Sequence, residues 1–85
     1  MQNKFEVIIP KSVGKSLAAI PLPWRERMMK AIDLLPQNPF IGEKLRGKLE
    51  GKRKIRAYPY RAIYQIDEKN KKIIIVEAGH RQGIY

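Results

Sequence analysis

The apolar residues of this chain change their spacing along the sequence. Between Trp24 and Leu35 they recur every third or fourth residue, which is typical of one face of an amphipathic helix. Between Lys54 and Ile66 they alternate with polar residues, which is typical of β-strands with one buried face. A chain of 85 residues has room for one hydrophobic core, so its helices and strands must share that core. We therefore expect a single α+β domain over residues 1–85.

The predicted order of elements is strand, helix, helix, strand, strand, strand. The first strand lies within residues 4–10, and Ser12 is expected to cap the first helix. The stiff segment "PLP" at residues 21–23 separates this helix from the second one. The last three strands correspond to "KIRAY", "YRAIYQID" and "KIIIVEAG", and the third is apolar enough for a central strand covered on both faces. We expect an antiparallel sheet with both helices packed on one face.

The positive charge of the chain is concentrated in one segment. The sequence has 18 Lys and Arg against 8 Asp and Glu, and eight of these cations lie between Ile41 and Arg61, a segment that holds two Glu. Gly42, Gly47 and Gly51 divide the first part of this segment, which predicts a basic loop. A protein needs no clustering of its cations to stay soluble. Clustered cations favour the binding of a polyanionic partner. Nucleic acid is the first candidate, an acidic protein the second, and an anionic membrane surface the third, because no basic amphipathic helix is evident.

The alternation of side chains along a strand assigns many of these charges to one side of the sheet. In "KIRAY", Lys54, Arg56 and Tyr58 share one face, while Ile55 and Ala57 share the other. The helices need the apolar face as their packing surface. We therefore expect the cations of this strand, together with Arg61 of the next strand, to face outward and to form a basic concavity.

The sequence lacks the residues that several classes of enzyme chemistry require. The absence of cysteine excludes disulfides, thiolate metal sites and cysteine nucleophiles. His80 is the only histidine, no P-loop-type glycine-rich segment is present, and Ser12 and Ser16 have no His and Asp nearby in sequence. We expect no metal and no cofactor. Because "MQNKFEVII" contains no long apolar run, we also expect no signal peptide, no membrane partner and a cytoplasmic location.

Clustered lysines and arginines suit one reaction that needs no enzyme nucleophile. In RNA the 2′-hydroxyl can attack the adjacent phosphorus and form a cyclic phosphate. The protein must orient this attack, stabilise negative charge on the phosphoryl oxygens and help the 5′-oxygen to leave. Arginine binds phosphate through a planar fork, and tyrosine can stack on a base. Charge serves binding as well as cleavage, so a non-catalytic RNA-binding protein stays open as an alternative.

Three segments in combination resemble the RelE/ParE toxin superfamily. They are "LLPQNPFIGEKLRG", "KIRAYPYRAIYQID" and "IIIVEAGHRQGIY", and they extend in the right order through most of the chain. The pattern looks more like the RelE mRNA interferases than the ParE gyrase inhibitors, which are the second alternative. The resemblance implies a RelE-like fold, metal-independent mRNA cleavage in the A site of the 30S ribosomal subunit, and silencing by a RelB-like cognate antitoxin.

The resemblance also implies roles for individual residues. Lys52 and Lys54 match the paired lysines that bind phosphate and substitute for a base. Arg61 matches the arginine that stabilises the transition state, and Arg81 matches the C-terminal arginine assigned to protonation of the leaving group. Tyr85 matches the C-terminal tyrosine that stacks on the substrate or orients it.

His80 is a second candidate for the proton donor. Arginine holds its proton too firmly to be a good acid, whereas histidine exchanges protons near neutral pH. The alternative for His80 is a satisfied or solvent-facing residue at a strand end. Tyr64 is expected to pack in the core. Further RNA contacts are predicted for Lys48, Arg53, Arg56 and Tyr58.

Overall fold

The computed structural model describes residues 4–80 and residue 82. Within these residues, two helices pack against one face of a five-stranded sheet. The elements are β1 (Glu6–Ile8), α1 (Lys11–Ala18), α2 (Leu22–Leu34), β2 (Glu43–Lys44), β3 (Lys52–Ala57), β4 (Tyr60–Asp67) and β5 (Lys72–His80). Short 3-10 turns lie at Pro39–Ile41 and Gly47–Leu49. The predicted α+β class and the placement of both helices on one face are confirmed.

The strand order in the sheet is β1-β5-β4-β3-β2. The β5–β4, β4–β3 and β3–β2 pairs are antiparallel, whereas β1 runs parallel to β5 at the edge of the sheet. Two features were not predicted: the parallel edge strand, and β2 within the segment expected to be a loop. β5 is an inner strand as predicted, but its side chains alternate between buried and half-buried in Ile73, Ile74 and Ile75. Its second face is therefore only partly covered.

The core lies between the helices and the apolar face of β3, β4 and β5. Met28, Ile32 and Leu35 supply the stripe predicted for the second helix, and Trp24 packs against the edge of the core. Buried residues of the sheet complete the cluster: Ile55, Ala57, Ala62, Tyr64, Ile73, Ile75 and Ala78. The helix stripe was readable from sequence because burial of one helical face requires this spacing.

The first helix begins earlier than predicted. Lys11 is its first residue, Pro10 occupies the N-cap position, and Ser12 lies within the first turn. The carbonyl of Pro10 accepts a hydrogen bond from the Gly14 N–H at 2.9 Å. The prediction of a Ser12 cap is therefore wrong, because the ring of Pro10 already restricts the backbone at the point where the helix begins. Neither α1 nor α2, nor any other helix in the described part of the chain, is long and apolar enough to cross a membrane.

A buried tyrosine fixes the segment that leads into β2. The Tyr64 hydroxyl donates to the carbonyl of Pro39 at 2.7 Å and accepts from the Gly42 N–H at 2.9 Å. A Cβ atom at position 42 would lie only 2.5 Å from the Tyr64 hydroxyl oxygen and 2.8 Å from the carbonyl oxygen of Lys54. This close packing requires glycine. The core position predicted for Tyr64 is confirmed, and burial raises the pKa of its hydroxyl despite opposing effects of the Gly42 bond and of Arg53.

Candidate nucleic-acid interface

Four cations of β3 and β4 lie on the side of the sheet opposite the helices, which we call the basic face. They are Lys52, Lys54, Arg56 and Arg61. Their strand neighbours Ile55, Ala57 and Ala62 are buried in the core on the helix side. Because successive side chains of a strand point to opposite faces, the cations face away from the helices. This arrangement agrees with the alternation read from the sequence.

Two arginines stand directly opposite each other on the basic face. Arg56 of β3 and Arg61 of β4 are partners in the antiparallel register, which places their Cβ atoms about 4.5–5.5 Å apart. The Arg56 side chain is 55% exposed, whereas the Nε atom of Arg61 is buried. Like charges directly opposite each other destabilise a sheet. An anion placed between the two guanidinium groups would turn this repulsion into attraction.

The Glu43 carboxylate forms ion pairs with two of these cations. Glu43 pairs with Lys54 across the β2–β3 register, and its Oε1 atom lies 3.7 Å from the Nζ of Lys54 and 3.7 Å from an Nη atom of Arg56. The Lys54 side chain is only 12% exposed, while that of Glu43 is 61% exposed. The ammonium group therefore lies low in the surface and the carboxylate stands above it in solvent.

The basic face has an apolar floor. Ile63 is the register partner of Lys54 on one side and of Glu77 on the other, and it is 0% exposed although it lies opposite the helices. It is not part of the main core cluster. Exclusion of water beneath charged groups lowers the local dielectric and strengthens their interaction with an anion.

Arg53 does not lie with the other cations of β3. It is the register partner of the core residue Tyr64, so it points to the helix side of the sheet. Its guanidinium donates to the carbonyls of Phe40 at 3.1 Å and Gly42 at 2.8 Å, and it lies 5.1 Å from the centre of the Phe40 ring. The predicted RNA contact of Arg53 does not fit this placement, because the side chain holds residues 40–42 against the sheet.

Lys48 and Tyr58 lie at the surface near the ends of β3. Lys48 is exposed in the 3-10 turn that precedes the strand, and Tyr58 is 64% exposed in the turn between β3 and β4. Both positions leave the predicted RNA contacts open to test. Arg81 and Tyr85, the other two residues of the predicted catalytic set, lie outside the described residues.

His80 lies on the helix side of the sheet. Its register partner is Tyr60, whose ring it meets edge-on with centroids 5.5 Å apart, and its Nδ1 accepts the Gln82 N–H at 3.2 Å. Gly79, and not His80, stands opposite Arg61. The described structure thus brings His80 to Tyr60 at the end of β5 and not to Arg61. Its role as a proton donor stays a prediction, as does the alternative of a histidine without a catalytic role at a strand end.

A bulge in β5 sets the side of the sheet on which His80 lies. Ile63 pairs with Glu77 and Tyr64 pairs with Ile75, so Val76 is an extra residue between two registered positions. Simple alternation from the buried Ile75 would place position 80 on the basic face. The extra residue inverts the alternation beyond it.

The sequence reading also missed Glu43 as a member of this surface. In the sequence, Glu43 is one of two acidic residues within a predicted basic loop. Its neighbours depend on the pairing of β2 with β3, which the local sequence does not reveal. The groove next to it, of about 300 Å³, continues toward α2 and is lined by Ala31, Leu34, Ile41, Gly42, Glu43, Lys54, Ile55 and Arg56. Among residues 4–80 and 82, no cluster of His, Asp and Glu is arranged to hold a metal ion.

The described residues thus form a small α+β domain with lysines and arginines gathered on the face of the sheet opposite its helices. The family model described as "ParE toxin of type II toxin-antitoxin system, parDE" matches residues 7–85. The chain therefore belongs to this toxin family, within the RelE/ParE superfamily that its sequence resembles. A search of curated proteins found no match.

Solved toxin structures share the fold. A chain of the archaeal RelE–RelB complex from Pyrococcus horikoshii OT3 is 28% identical, with a TM-score of 0.74 over 92% of this chain and 96% of that one. A chain of the RelBE2 complex from Mycobacterium tuberculosis is 25% identical, with a TM-score of 0.71 over 92% and 99%. The isolated E. coli RelE toxin, at 22% identity, has a TM-score of 0.79 over 89% and 83%, which is a likeness of fold alone. The protein is thus a toxin of a type II toxin–antitoxin system, and the preference for RelE-like over ParE-like activity stays a prediction.

Proposed function

We propose that this toxin is an endoribonuclease that cleaves mRNA in the ribosomal A site. The observation that supports this proposal most strongly is the Arg56–Arg61 pair across β3 and β4. It lies on the basic face beside Lys54, whose side chain is largely buried. Two guanidinium groups at register-paired positions on one face of the sheet suit the binding of a single phosphate. Binding alone would need only surface charge, whereas two opposed guanidinium groups match the added charge of a phosphorane.

The proposed reaction uses the substrate's own 2′-hydroxyl as the nucleophile. The 2′-oxygen attacks the adjacent phosphorus, the phosphorus–2′-oxygen bond forms, and the phosphorus–5′-oxygen bond breaks. The 2′-hydroxyl gives up a proton and the 5′-oxygen gains one. Arg56 and Arg61 would stabilise the charge that develops on the non-bridging oxygens. Lys54, above the apolar floor of Ile63, would attract the same phosphate in a region of lowered dielectric.

The remaining roles rest on the resemblance to RelE toxins. Lys52 would bind phosphate together with Lys54 and substitute for a base. Arg81 would assist departure of the 5′-oxygen, and Tyr85 would stack on the substrate or orient it. His80 is the second candidate for the proton donor, although its side chain contacts Tyr60 on the helix side.

The proposed partners follow from the same reading. A RelB-like antitoxin would silence the toxin, and an acidic helical segment would complement the net charge of +10. RelE and RelB occur as a complex in the solved relative from P. horikoshii. Since ribosome-bound mRNA is the proposed substrate, the proposed location is the cytoplasm.

A ParE-like inhibitor of DNA gyrase is the second candidate. It is favoured by the description of the family model that matches residues 7–85. The basic face would then contact gyrase or its DNA and cut no RNA.

The deciding experiment presents the purified toxin with ribosomes that carry a defined mRNA, and maps new 5′ ends by primer extension. We expect cuts within the A-site codon. Arg61→Ala should slow cleavage by about 100- to 1000-fold, the usual effect of removing one group that stabilises transition-state charge. Arg27→Ala is the matched control, because Arg27 is an exposed residue of α2 in the helix layer and its loss changes the net charge equally.

Two other outcomes would contradict the proposal. Intact mRNA together with gyrase-linked DNA breaks would establish the ParE-like activity. Equal cleavage by the wild type, Arg61→Ala and Arg27→Ala would remove Arg61 from the mechanism. Circular dichroism of each variant verifies that any loss of activity occurs in folded protein.

A further inference from the structure

Glu43 is the only carboxylate that forms an ion pair with the basic face among the described residues. One of its oxygens, Oε1, lies at the same distance, 3.7 Å, from Lys54 and from Arg56. A phosphate oxygen bound by these two cations would have to occupy nearly the same place. The carboxylate therefore stands where the proposed substrate must bind.

The fold, rather than the ion pairs, sets the position of Glu43. Residues 39–42 immediately before it are held from the helix side by the Tyr64 hydroxyl and the Arg53 guanidinium. Glu43 itself is paired with Lys54 across the β2–β3 register. Its backbone is thus anchored by contacts that involve neither Arg56 nor the carboxylate.

The contacts of the carboxylate are weak enough to be exchanged. Both ion pairs are long, and the Glu43 side chain is 61% exposed. A long ion pair to an exposed carboxylate contributes little, because solvent screens the charge on the exposed side. A phosphodiester that contacts Lys54, Arg56 and Arg61 together would make several charge-assisted hydrogen bonds, which would offset the release of Glu43.

We propose that Glu43 is an internal competitor of the anionic substrate. Its carboxylate neutralises Lys54 and Arg56 in the empty toxin and swings into solvent when a phosphate arrives. The inference rests on the proposed function in that the arriving anion is an RNA phosphate. It explains why an acidic residue is fixed within the most basic region of the chain. Its effect is to weaken the binding of polyanions that offer only charge, while substrates that engage all the cations can displace it.

The test compares Glu43→Gln with Glu26→Gln. Both variants remove one negative charge and keep the side-chain shape, but Glu26 is an exposed residue of α2 in the helix layer. Binding is measured by calorimetry with inorganic pyrophosphate, and by fluorescence anisotropy with a short single-stranded 2′-O-methyl RNA that has no free 2′-hydroxyl. We expect Glu43→Gln to tighten both affinities by about 3- to 10-fold, and Glu26→Gln to change them less than about 2-fold.

Several outcomes would overturn the inference. Weaker binding by Glu43→Gln would mean that the carboxylate only holds the cations or β2 in place. Equal tightening by both variants would reduce the effect to net charge, and a complete lack of pyrophosphate binding by every variant would remove the anion site. None of these measurements involves ribosomes or cleavage. If Glu43→Gln binds the anions more tightly but the toxin cuts no mRNA, the competitor role of Glu43 is supported and the proposed endoribonuclease activity is contradicted.

Discussion

Arg53 and Arg56 lie three residues apart on the same strand, yet the structure gives them opposite tasks. Arg53 points to the helix side, where it donates hydrogen bonds to the carbonyls of Phe40 and Gly42. Arg56 points to the basic face, where it stands opposite Arg61. One guanidinium satisfies backbone carbonyls, and the other opposes a like charge. The comparison shows that a count of cations in a segment overstates the surface available to a polyanion, because strand alternation divides them between structure and binding.

The largest expected difference between the two residues is in activity. Arg56→Gln should slow A-site cleavage by about 100-fold, since it removes one of two groups proposed to stabilise the developing phosphoryl charge. Arg53→Gln should keep nearly full activity per folded molecule. Single-turnover cleavage by the folded fraction of each variant measures this. Equal losses of activity in both variants would break the distinction between the two faces.

The second expected difference is in stability, where Arg53→Gln should have the larger effect of the two substitutions. Arg53→Gln should lower the free energy of unfolding by about 1–3 kcal/mol, because two carbonyls lose a charged donor and the contact with the Phe40 ring is lost. Arg56→Gln should change it by less than about 0.5 kcal/mol, because it removes a repulsion and an exposed ion pair together. Urea titrations followed by circular dichroism give both values. A more destabilised Arg56→Gln than Arg53→Gln would contradict the assignment.

The smallest expected effect is on the stability contribution of Tyr64, on the helix side of the sheet, and it depends on pH. Tyr64→Phe should cost about 1–2 kcal/mol near neutrality through loss of the hydrogen bonds to Pro39 and Gly42. Burial raises the pKa of Tyr64 in the folded protein, so its contribution is complete below the ordinary tyrosine pKa and declines as the pH rises through the raised value. The difference in free energy of unfolding between the wild type and Tyr64→Phe should therefore become smaller in alkaline solution. A gap that stays constant up to strongly alkaline pH would show that Tyr64 is not protected from ionisation by the fold.

Sequence reasoning succeeded where a repeated pattern extends over several residues. The stripe of α2 and the alternation in β3 and β4 each include enough positions to define a face. This is why the class of fold and the outward direction of Lys54, Arg56 and Arg61 could be predicted. The same reasoning failed for β2, because the two residues Glu43 and Lys44 contain no period at all.

The other misses come from pairing that the local sequence does not encode. The parallel alignment of β1 with β5 depends on how the two helices return the chain to the sheet. The side of the sheet on which His80 lies depends on the bulge at Val76, which is defined by the partner strand and not by β5 itself. Arg53 was assigned to RNA with its neighbours because the carbonyls that it satisfies come from a segment more than ten residues earlier.

The additional residue at position 76 keeps the polar and apolar groups of β5 on the sides of the sheet where they now lie. If Val76 were paired in a regular ladder without the bulge, simple alternation from Ile75 would turn Glu77 and Gly79 toward the helices, and Ala78 and His80 outward. An isolated carboxylate would then enter the space that a methyl group fills now, at a cost of several kcal/mol. Removal of Val76 together with the bulge would instead leave Glu77 on the basic face and Ala78 in the core. The bulge, rather than the length of β5, therefore keeps a charge out of the core.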